Sequence, residues 1–131
     1  MKVSFDFDGV LTRNDVQDFV KELINKGVDV WLVTSRSSTE SAKKKAWWWV
    51  EKQNEYLFEV ADECKIPRNR IIFTDLVDKV VYLTGRDFLF HLDDDEHELL
   101  MIMESKISCK PLNINHSEWK ERCLELLNKK P

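Results

Sequence analysis

The apolar residues of this chain follow two alternating spacings along its length. A short apolar run begins at Val3 and ends at Asp6 and Asp8, which is the pattern of a strand entering a core. The residues that recur at every third or fourth position in the next segment are Val16, Phe19, Val20, Leu23 and Ile24. That spacing predicts one apolar face of a helix, and Asn14 and Gln17 have capping-box spacing at its start.

The same alternation continues to the end of the chain. Gly27 lies where a helix C-terminal cap is expected, and 28–33 is an apolar run interrupted only by Asp29, as in parallel sheets covered on both faces. The further predicted helices run from Ser37 to about Val50, over 54–64, from Val80 to before Gly85, through Leu99 and Met103, and around Trp119 and Cys123. The further predicted strands are Ile71–Phe73, Phe88–Leu92 and a weak one between Ile107 and Ile114.

This alternation of strands and helices predicts an α/β fold with a mostly parallel central sheet of about five strands. We expect a three-layer, Rossmann-like sandwich in which residues 1–131 form one domain, since no repeat or linker divides the chain. Hydrophobic residues make up 43% of the sequence and charged residues 34%, which is typical of a globular protein.

Charge and cysteine content restrict the environment in which the chain is expected to act. The net charge is −4, so no overall positive field attracts nucleic acid, although a local patch stays open. The sequence shows neither an apolar run of about 18 residues nor a signal-peptide pattern, so no membrane association is expected. Cys64, Cys109 and Cys123 are odd in number and widely separated, which indicates reduced core thiols in a cytoplasmic protein.

Polar side chains suited to a reaction follow the predicted strands at their carboxyl ends, where open parallel sheets bind ligands. They are Asp6 and Asp8 after the first strand, Thr34 and Ser35 after the second, and Asp93 and Asp94 after the fourth. Asp6 and Asp8 are two residues apart, so they point to one face, and Gly9 then allows a turn. Because close carboxylates repel one another, a divalent cation or a reaction would justify the arrangement.

Lys79, at the start of the short helix before the fourth strand, adds one ammonium to these carboxylates. Oxygen ligands in this number suit Mg²⁺ rather than a soft metal. Carboxylates alone would repel an anionic substrate, so a phosphate would need the cation in order to enter. Mg²⁺, Lys79 and a hydroxyl donor would together stabilise charge on a transferring phosphoryl group.

The order of these motifs resembles that of the haloacid dehalogenase-like superfamily, over residues 3 to about 95. The segments that carry the resemblance are Asp6-Phe7-Asp8-Gly9-Val10-Leu11-Thr12, Val30-Trp31-Leu32-Val33-Thr34, Lys79, and Phe88-Leu89-Phe90-His91-Leu92-Asp93-Asp94. The resemblance implies a Mg²⁺-dependent phosphatase in which Asp6 forms an aspartyl-phosphate and Asp8 is the general acid and base. It further implies that Thr34 hydrogen-bonds the phosphoryl oxygens and that Lys79 holds nucleophile and phosphate together. The implied Mg²⁺ ligands are Asp6, the Asp8 backbone carbonyl and Asp93, with Asp94 close behind.

The segment after Thr12 is too short for the hairpin flap that usually follows the first motif in that superfamily. Two helices and a strand account for most of the chain between Ser35 and Lys79, so no cap domain is expected and the chain resembles the small capless type. An open site suits bulky phosphoesters, or a site covered by a second copy of the chain. A nucleotide, a sugar phosphate and a nucleic-acid end all stay open as the phosphorylated substrate.

Several conspicuous residues have more than one interpretation. Thr34 and Ser35 are adjacent, and Thr34 is favoured as the motif hydroxyl because it ends the apolar run. Arg36 either binds substrate, together with Ser35, or forms a surface salt bridge. The tryptophans at 47–49 cannot share one helix face, so one or two are predicted to lie in the core. His91 is predicted to be a core histidine with its hydrogen bonds satisfied.

Two further functions remain as alternatives to a phosphatase. A phospho-receiver switch also combines acids, a hydroxyl, a lysine and Mg²⁺, but that class places its phosphorylated Asp after the third strand. That class also has its lysine after the fifth strand, whereas here the third strand ends in Thr74 and Asp75 and the lysine precedes the fourth strand, so the order disfavours the switch. The other alternative is a phosphorylatable or catalytically weak binding or scaffold protein, which the short segment after Thr12 favours and the presence of all four polar motifs disfavours.

Overall fold

The computed structural model describes residues 1–129, which form five strands and six helices. The strands are β1 (Lys2–Phe5), β2 (Asp29–Thr34), β3 (Ile71–Phe73), β4 (Phe90–Asp93) and β5 (Lys110–Asn113). The helices are α1 (Asn14–Asn25), α2 (Thr39–Lys44), α3 (Trp48–Cys64), α4 (Lys79–Leu83), α5 (Glu96–Ser105) and α6 (Trp119–Asn128). An irregular helical turn, Phe7–Leu11, follows β1, and a single 3₁₀ turn, Arg68–Arg70, precedes β3.

The five strands form one parallel sheet in the order β3-β2-β1-β4-β5. β1 is central, and its Phe5 pairs with Leu32 of β2 on one side and Leu92 of β4 on the other. The chain builds outward from β1 to β3 and then crosses to the other side for β4. This reversal creates a crevice at the carboxyl ends of β1 and β4, where open sheets bind ligands. The predicted α/β fold class is confirmed.

Apolar side chains cover the sheet on both faces, which gives the three layers. One cluster joins β1 and β4 to α1, α3 and α6, and within it Phe19 contacts Phe5 and Trp119 edge-on, with ring centroids 6.3 and 5.6 Å apart. The other cluster consists of Val33, Leu83, Phe88, Ile102 and Cys109, from β2, α4, α5 and their connections. Successive β2 residues alternate between the clusters, as the pleat of a strand requires.

The two ends of α1 differ in how well the sequence predicts them. At the C-terminal end, Gly27 has a φ of +84° and the N–H of Val28 donates to the Leu23 carbonyl at 3.0 Å, which confirms the predicted glycine cap. At the other end, the capping box of Asn14 and Gln17 is not formed. Asn14 is already helical, and the Gln17 amide donates instead to a carbonyl of the preceding turn at 2.9 Å.

The helix predicted over 37–50 is in fact two helices. The cap of α2 is Ser38, whose hydroxyl accepts the N–H of Ser41 at 3.1 Å. The chain leaves the helical conformation at Ala46, which has a φ of 57°, and α3 begins at Trp48, earlier than predicted. A left-handed residue ends a helix, and alanine gives no sequence signal of that conformation.

The prediction that one or two of the three tryptophans lie in the core is wrong. Trp47 is half-buried, whereas Trp48 and Trp49 are 68% and 46% exposed. After the break at Ala46, Trp47 precedes α3 and the other two tryptophans lie on its first, exposed turn, whereas the fully buried residues of that helix begin only at Asn54.

The three cysteines are free thiols inside the protein, as predicted. Burial raises the pKa of Cys64 to about 11 and the pKa values of Cys109 and Cys123 to about 12. Within residues 1–129, none of the helices has the length and apolar content that crossing a bilayer requires.

Candidate active site

The loop after β1 carries Asp6 and turns at Gly9. The N–H of Asp6 donates to the Leu92 carbonyl at 2.9 Å, which joins the loop to the end of β4. Gly9 has a φ of +74°, and a Cβ atom there would overlap the Oδ2 atom of Asp94. The backbone angle therefore favours glycine, and any side chain at this position would displace the Asp94 carboxylate.

Lys79 is 2% exposed and lies between two buried carboxylates. Its Nζ atom is 2.9 Å from Oδ1 of Asp6 and 2.6 Å from Oδ2 of Asp93. Burial alone would lower the pKa of this ammonium, but the two carboxylates outweigh burial and raise the pKa. The backbone N–H of Lys79 donates to Oε2 of Glu98 at 2.8 Å, which fixes the start of α4. Lys79 thus lies beside the candidate nucleophile, and sequence reasoning missed the contribution of Glu98.

Asp93 is fully buried and accepts hydrogen bonds from four donors. Its Oδ2 atom contacts Lys79 and Nε2 of His91 at 2.6 and 2.7 Å. Its Oδ1 atom accepts the backbone N–H groups of Asp94 and Asp95 at 2.8 and 3.1 Å. Burial would raise the pKa of Asp93, but His91 and Lys79 hold that pKa well below its usual range. Both carboxylate oxygens are therefore engaged within the protein.

A buried polar chain continues from Asp93 away from the site. Nδ1 of His91 lies 2.7 Å from the Ser4 hydroxyl, and burial lowers the pKa of the imidazole. A neutral imidazole donates a hydrogen bond from Nε2 to Asp93 and accepts one at Nδ1 from the Ser4 hydroxyl, so both ring nitrogens have a partner. The prediction of a satisfied core histidine is confirmed. Its bond to Asp93 was missed, although residues two apart on a strand share a face.

Asp6, Asp93 and Asp94 form a cluster in which one oxygen from each lies within 4.8 Å of the others. Burial raises the pKa of Asp6 to about 8; Lys79 acts in the opposite direction, and the Asp93 charge adds to the increase. Burial, together with the Asp93 charge, also raises the pKa of Asp94. One ammonium does not balance three carboxylates, so the cluster favours added positive charge.

The donor atoms of this cluster fit a hard divalent cation. All three are carboxylate oxygens, the ligands that Mg²⁺ and Ca²⁺ prefer. Because both oxygens of Asp93 already accept two hydrogen bonds each, Asp6 and the exposed Asp94 have the greater capacity to bind an ion. Asp94, which the resemblance placed behind Asp93, is thus the better-positioned carboxylate of the pair.

The carboxylate of Asp8 lies outside the cluster, paired with Arg36. The Nη2 and Nε atoms of Arg36 contact the two oxygens of Asp8 at 2.6 and 2.9 Å, and Nη1 donates to the Gln53 carbonyl at 2.8 Å. The guanidinium also lies 4.9 Å from the ring centroid of Phe7. Arg36 therefore forms the salt bridge that was one of its two interpretations. A ligand role for the Asp8 backbone carbonyl stays a prediction.

The two candidate hydroxyls lie at the end of β2, the strand that pairs with β1. Thr34 is fully buried, and its hydroxyl accepts the backbone N–H of Arg36 at 3.3 Å. Ser35 is half-buried, and its carbonyl accepts the N–H of Leu76 at 2.9 Å. The choice of Thr34 over Ser35 as a phosphate ligand stays a prediction.

Asp8 and Asp94 form the solvent-facing side of the candidate site, whereas Asp6, Lys79 and Asp93 lie buried beneath them. Only Thr12 and Arg13 separate the turn Phe7–Leu11 from α1, and the side chain of Asp8 is 57% exposed. A groove of about 670 Å³ between α5, β5 and α6 lies elsewhere on the protein and is lined by none of the site carboxylates.

Comparisons with known proteins do not add to this picture. A scan of protein-family models, a search of curated proteins and a search of solved structures each give no match to this chain. The functional interpretation therefore depends on the motifs and on the geometry described above.

Proposed function

We propose that this protein is a Mg²⁺-dependent phosphomonoester hydrolase of the haloacid dehalogenase-like type, with Asp6 as its nucleophile. The observation that carries the proposal is the pair of contacts from the buried Lys79 ammonium to Asp6 and Asp93 beside the exposed Asp94. Such a group of three acids and one lysine at the switch point of a parallel sheet suits phosphoryl transfer.

Asp6 and Asp8 would divide hydrolysis into two steps. A carboxylate oxygen of Asp6 forms a bond to phosphorus as the ester P–O bond breaks, and Asp8 gives its proton to the departing oxygen. Asp8 then takes a proton from water, whose oxygen bonds to phosphorus while the bond to Asp6 breaks. Inorganic phosphate leaves and both side chains return to their starting state.

Mg²⁺ held by Asp6 and Asp94, with Asp93 adjacent, would neutralise charge on the phosphoryl oxygens. Lys79 keeps Asp6 oriented and supports its ionised form, which an attacking carboxylate requires. Asp93, held by four donors, fixes the position of Lys79. Thr34 or Ser35 would hydrogen-bond the phosphoryl group from the end of β2.

The ion pair between Arg36 and Asp8 supports a second candidate function. A carboxylate in a two-point contact with a guanidinium has no proton to give to a leaving group. Arg36 must therefore release Asp8 during turnover, for instance by binding the substrate phosphate instead. A protein in which this release is rare would be phosphorylated on Asp6 and hydrolysed slowly, as a switch or binding protein.

An assay with an aryl phosphate tests the proposal directly. We expect hydrolysis by the wild type in Mg²⁺, complete loss in EDTA, and a decrease of about 10²–10⁴-fold in Asp8→Asn, the usual contribution of a general acid or base. Phosphate release is measured together with acid-labile phosphate bound to the protein. Stable phosphorylation of Asp6 without release of phosphate would favour the switch, and neither signal would contradict both functions.

Substitution of Gly9 tests the position of Asp94. We expect Gly9→Ala to lose about 1–3 kcal/mol of stability from its left-handed backbone angle and to lose most of the rise in melting temperature caused by Mg²⁺. The matched control is Gly85→Ala, because Gly85 also has a φ of +74° but no atom lies within 4 Å of its Cβ position. Gly85→Ala should lose stability by a similar amount but keep the rise in melting temperature caused by Mg²⁺. Equal Mg²⁺ responses in the two variants would contradict the assignment of Asp94.

A further inference from the structure

An exposed aromatic cluster lies at the start of α3. The rings of Trp47 and Trp49 stack with centroids 6.1 Å apart, and Trp48 meets Trp49 edge-on at 6.0 Å. Trp48 and Trp49 are 68% and 46% exposed. Large exposed aromatic surfaces of this kind mark sites where another molecule binds.

A further exposed aromatic ring lies along α3, nearer the candidate active site. Trp49, Lys52 and Tyr56 are spaced i, i+3 and i+7, so they follow one edge of the helix. Tyr56 is 49% exposed, and its ring meets that of Phe7 edge-on with centroids 5.8 Å apart. Phe7 lies between Asp6 and Asp8 in the sequence, and Arg36 joins Asp8 to the Gln53 carbonyl of the same helix. Tyr56 is thus an exposed ring two helical turns from Trp49, in contact with the buried Phe7 of the loop that carries the nucleophile.

Lysine side chains accompany these rings. Lys43, Lys44 and Lys45 are exposed at the end of α2, and the ammonium of Lys45 lies 4.5 Å from the ring centroid of Trp47 and 3.4 Å from Asp75. The chain has a net charge of −4, so this group of cations is a local feature. The acids Glu51, Glu55 and Glu59 of α3 lie about 200°, 240° and 280° around the helix from Trp49, on the same side as Trp48 and Lys52. The unopposed cations of this surface are therefore those of 43–44 at the end of α2.

Stacking rings beside ammonium groups are the combination that binds single-stranded nucleic acid, through its bases and its phosphates. Trp49 and Tyr56 are about 10.5 Å apart along the helix axis, a span that exceeds one nucleotide repeat. We propose that the surface formed by 43–49, Lys52 and Tyr56 binds single-stranded nucleic acid and that the phosphorylated end of that strand is the substrate at Asp6. The second part of this inference rests on the proposed function. Hydrolysis would break the terminal P–O ester bond, leave a hydroxyl on the strand and release inorganic phosphate.

The binding surface is tested without turnover, by fluorescence anisotropy of a labelled oligothymidylate of about twelve nucleotides in EDTA. We expect Trp48→Ala/Trp49→Ala to bind about tenfold more weakly or worse, the effect of losing a stacked base. Quenching of tryptophan fluorescence in the unmodified protein gives a measurement that does not depend on a variant. The matched control is Leu100→Ala/Met103→Ala, which removes exposed apolar side chains from α5 and should leave binding unchanged.

The lysines are tested through the salt dependence of binding. We expect Lys43→Ala/Lys44→Ala to reduce the slope of log Kd against log salt by about 1.4, if each lysine contacts one phosphate of the single strand. An unchanged slope would contradict the role of these lysines.

The substrate is tested with the same oligonucleotide carrying a phosphate at its 5′ or its 3′ end. Release of phosphate from either end, weakened in the double tryptophan variant, would support the inference and identify the end. Hydrolysis of an aryl phosphate without oligonucleotide binding would overturn the inference and leave the proposed function intact. Oligonucleotide binding without hydrolysis of any phosphate would overturn the proposed function and the substrate assignment, but not the binding surface. Sedimentation that shows the tryptophans only hold two copies together would overturn the inference in favour of self-association.

Discussion

Asp6→Asn is expected to reduce Mg²⁺-dependent hydrolysis of an aryl phosphate by about 10⁴-fold or more, the scale observed when a nucleophile is removed. The amide cannot form the bond to phosphorus, and it also weakens the candidate cation site. The substitution is nearly isosteric, so the neutral amide oxygen can still accept the hydrogen bond that Lys79 donates to Asp6 at 2.9 Å in the wild type. Hydrolysis and protein-bound phosphate should disappear together.

The same variant is expected to differ from the wild type in how its stability depends on pH. Burial raises the pKa of Asp6 to about 8 in the folded protein, from 3.8 as its ordinary value. Between these values the folded chain binds a proton that the unfolded chain has lost, so the free energy of unfolding decreases as the pH rises. This loss is complete above about pH 8, and Asp6→Asn cannot show it.

Urea unfolding in EDTA from pH 5 to pH 8 measures this difference. The free energy of unfolding of the wild type should fall relative to that of Asp6→Asn across the whole range. Asp62→Asn serves as a control for the loss of a carboxylate. Asp62 lies on α3, its exposed side chain is paired with Arg68, and it is not part of the candidate site. Parallel pH profiles for wild type and Asp6→Asn would show that the pKa of Asp6 is not raised by folding. Retained hydrolysis in Asp6→Asn would exclude it as the nucleophile.

The parts of the fold that depend on local spacing could be predicted from the sequence. β1, α1 and β2 follow from apolar periodicity, and β3 was predicted with its observed bounds, Ile71–Phe73. The sheet order could not be predicted, because it depends on pairs such as Ser4 with His91, which are 87 residues apart. The break at Ala46 was missed for a different reason, since its left-handed conformation has no signal in the local sequence.

In the candidate site, the positions that follow from strand topology could be predicted, whereas the side-chain contacts could not. Carboxyl ends of parallel strands meet at one edge, so the approach of Asp6 to Asp93 could be predicted from the strands alone. The bonds from Asp8 to Arg36 depend on the rotamers of two long side chains, which sequence spacing does not determine. For the same reason the four donors around Asp93 became evident only in the structure.

Lys79→Met is expected to have the largest effect on stability among single substitutions in this site. Methionine has similar length, but it leaves the ionised Asp93 without its cation, and Asp6, whose pKa is raised to about 8, without its hydrogen-bond donor. Removing one member of a buried ion pair costs about 3–5 kcal/mol, because an uncompensated charge remains in a medium of low dielectric constant. The free energy of unfolding in urea, measured in EDTA, should fall by this amount.

A double substitution separates loss of the ion pair from loss of packing. Because Asp93→Asn removes the stranded charge, Lys79→Met/Asp93→Asn should be less destabilised than the sum of the two single variants. The control is Lys21→Met, whose ammonium forms an exposed ion pair with Glu63 at 3.3 Å and should contribute only about 0–1 kcal/mol. Strict additivity in the double variant would mean that Lys79 contributes by packing alone. A cost in Lys79→Met no larger than in the control would contradict a stabilising role for the buried ammonium, on which the orientation of Asp6 depends.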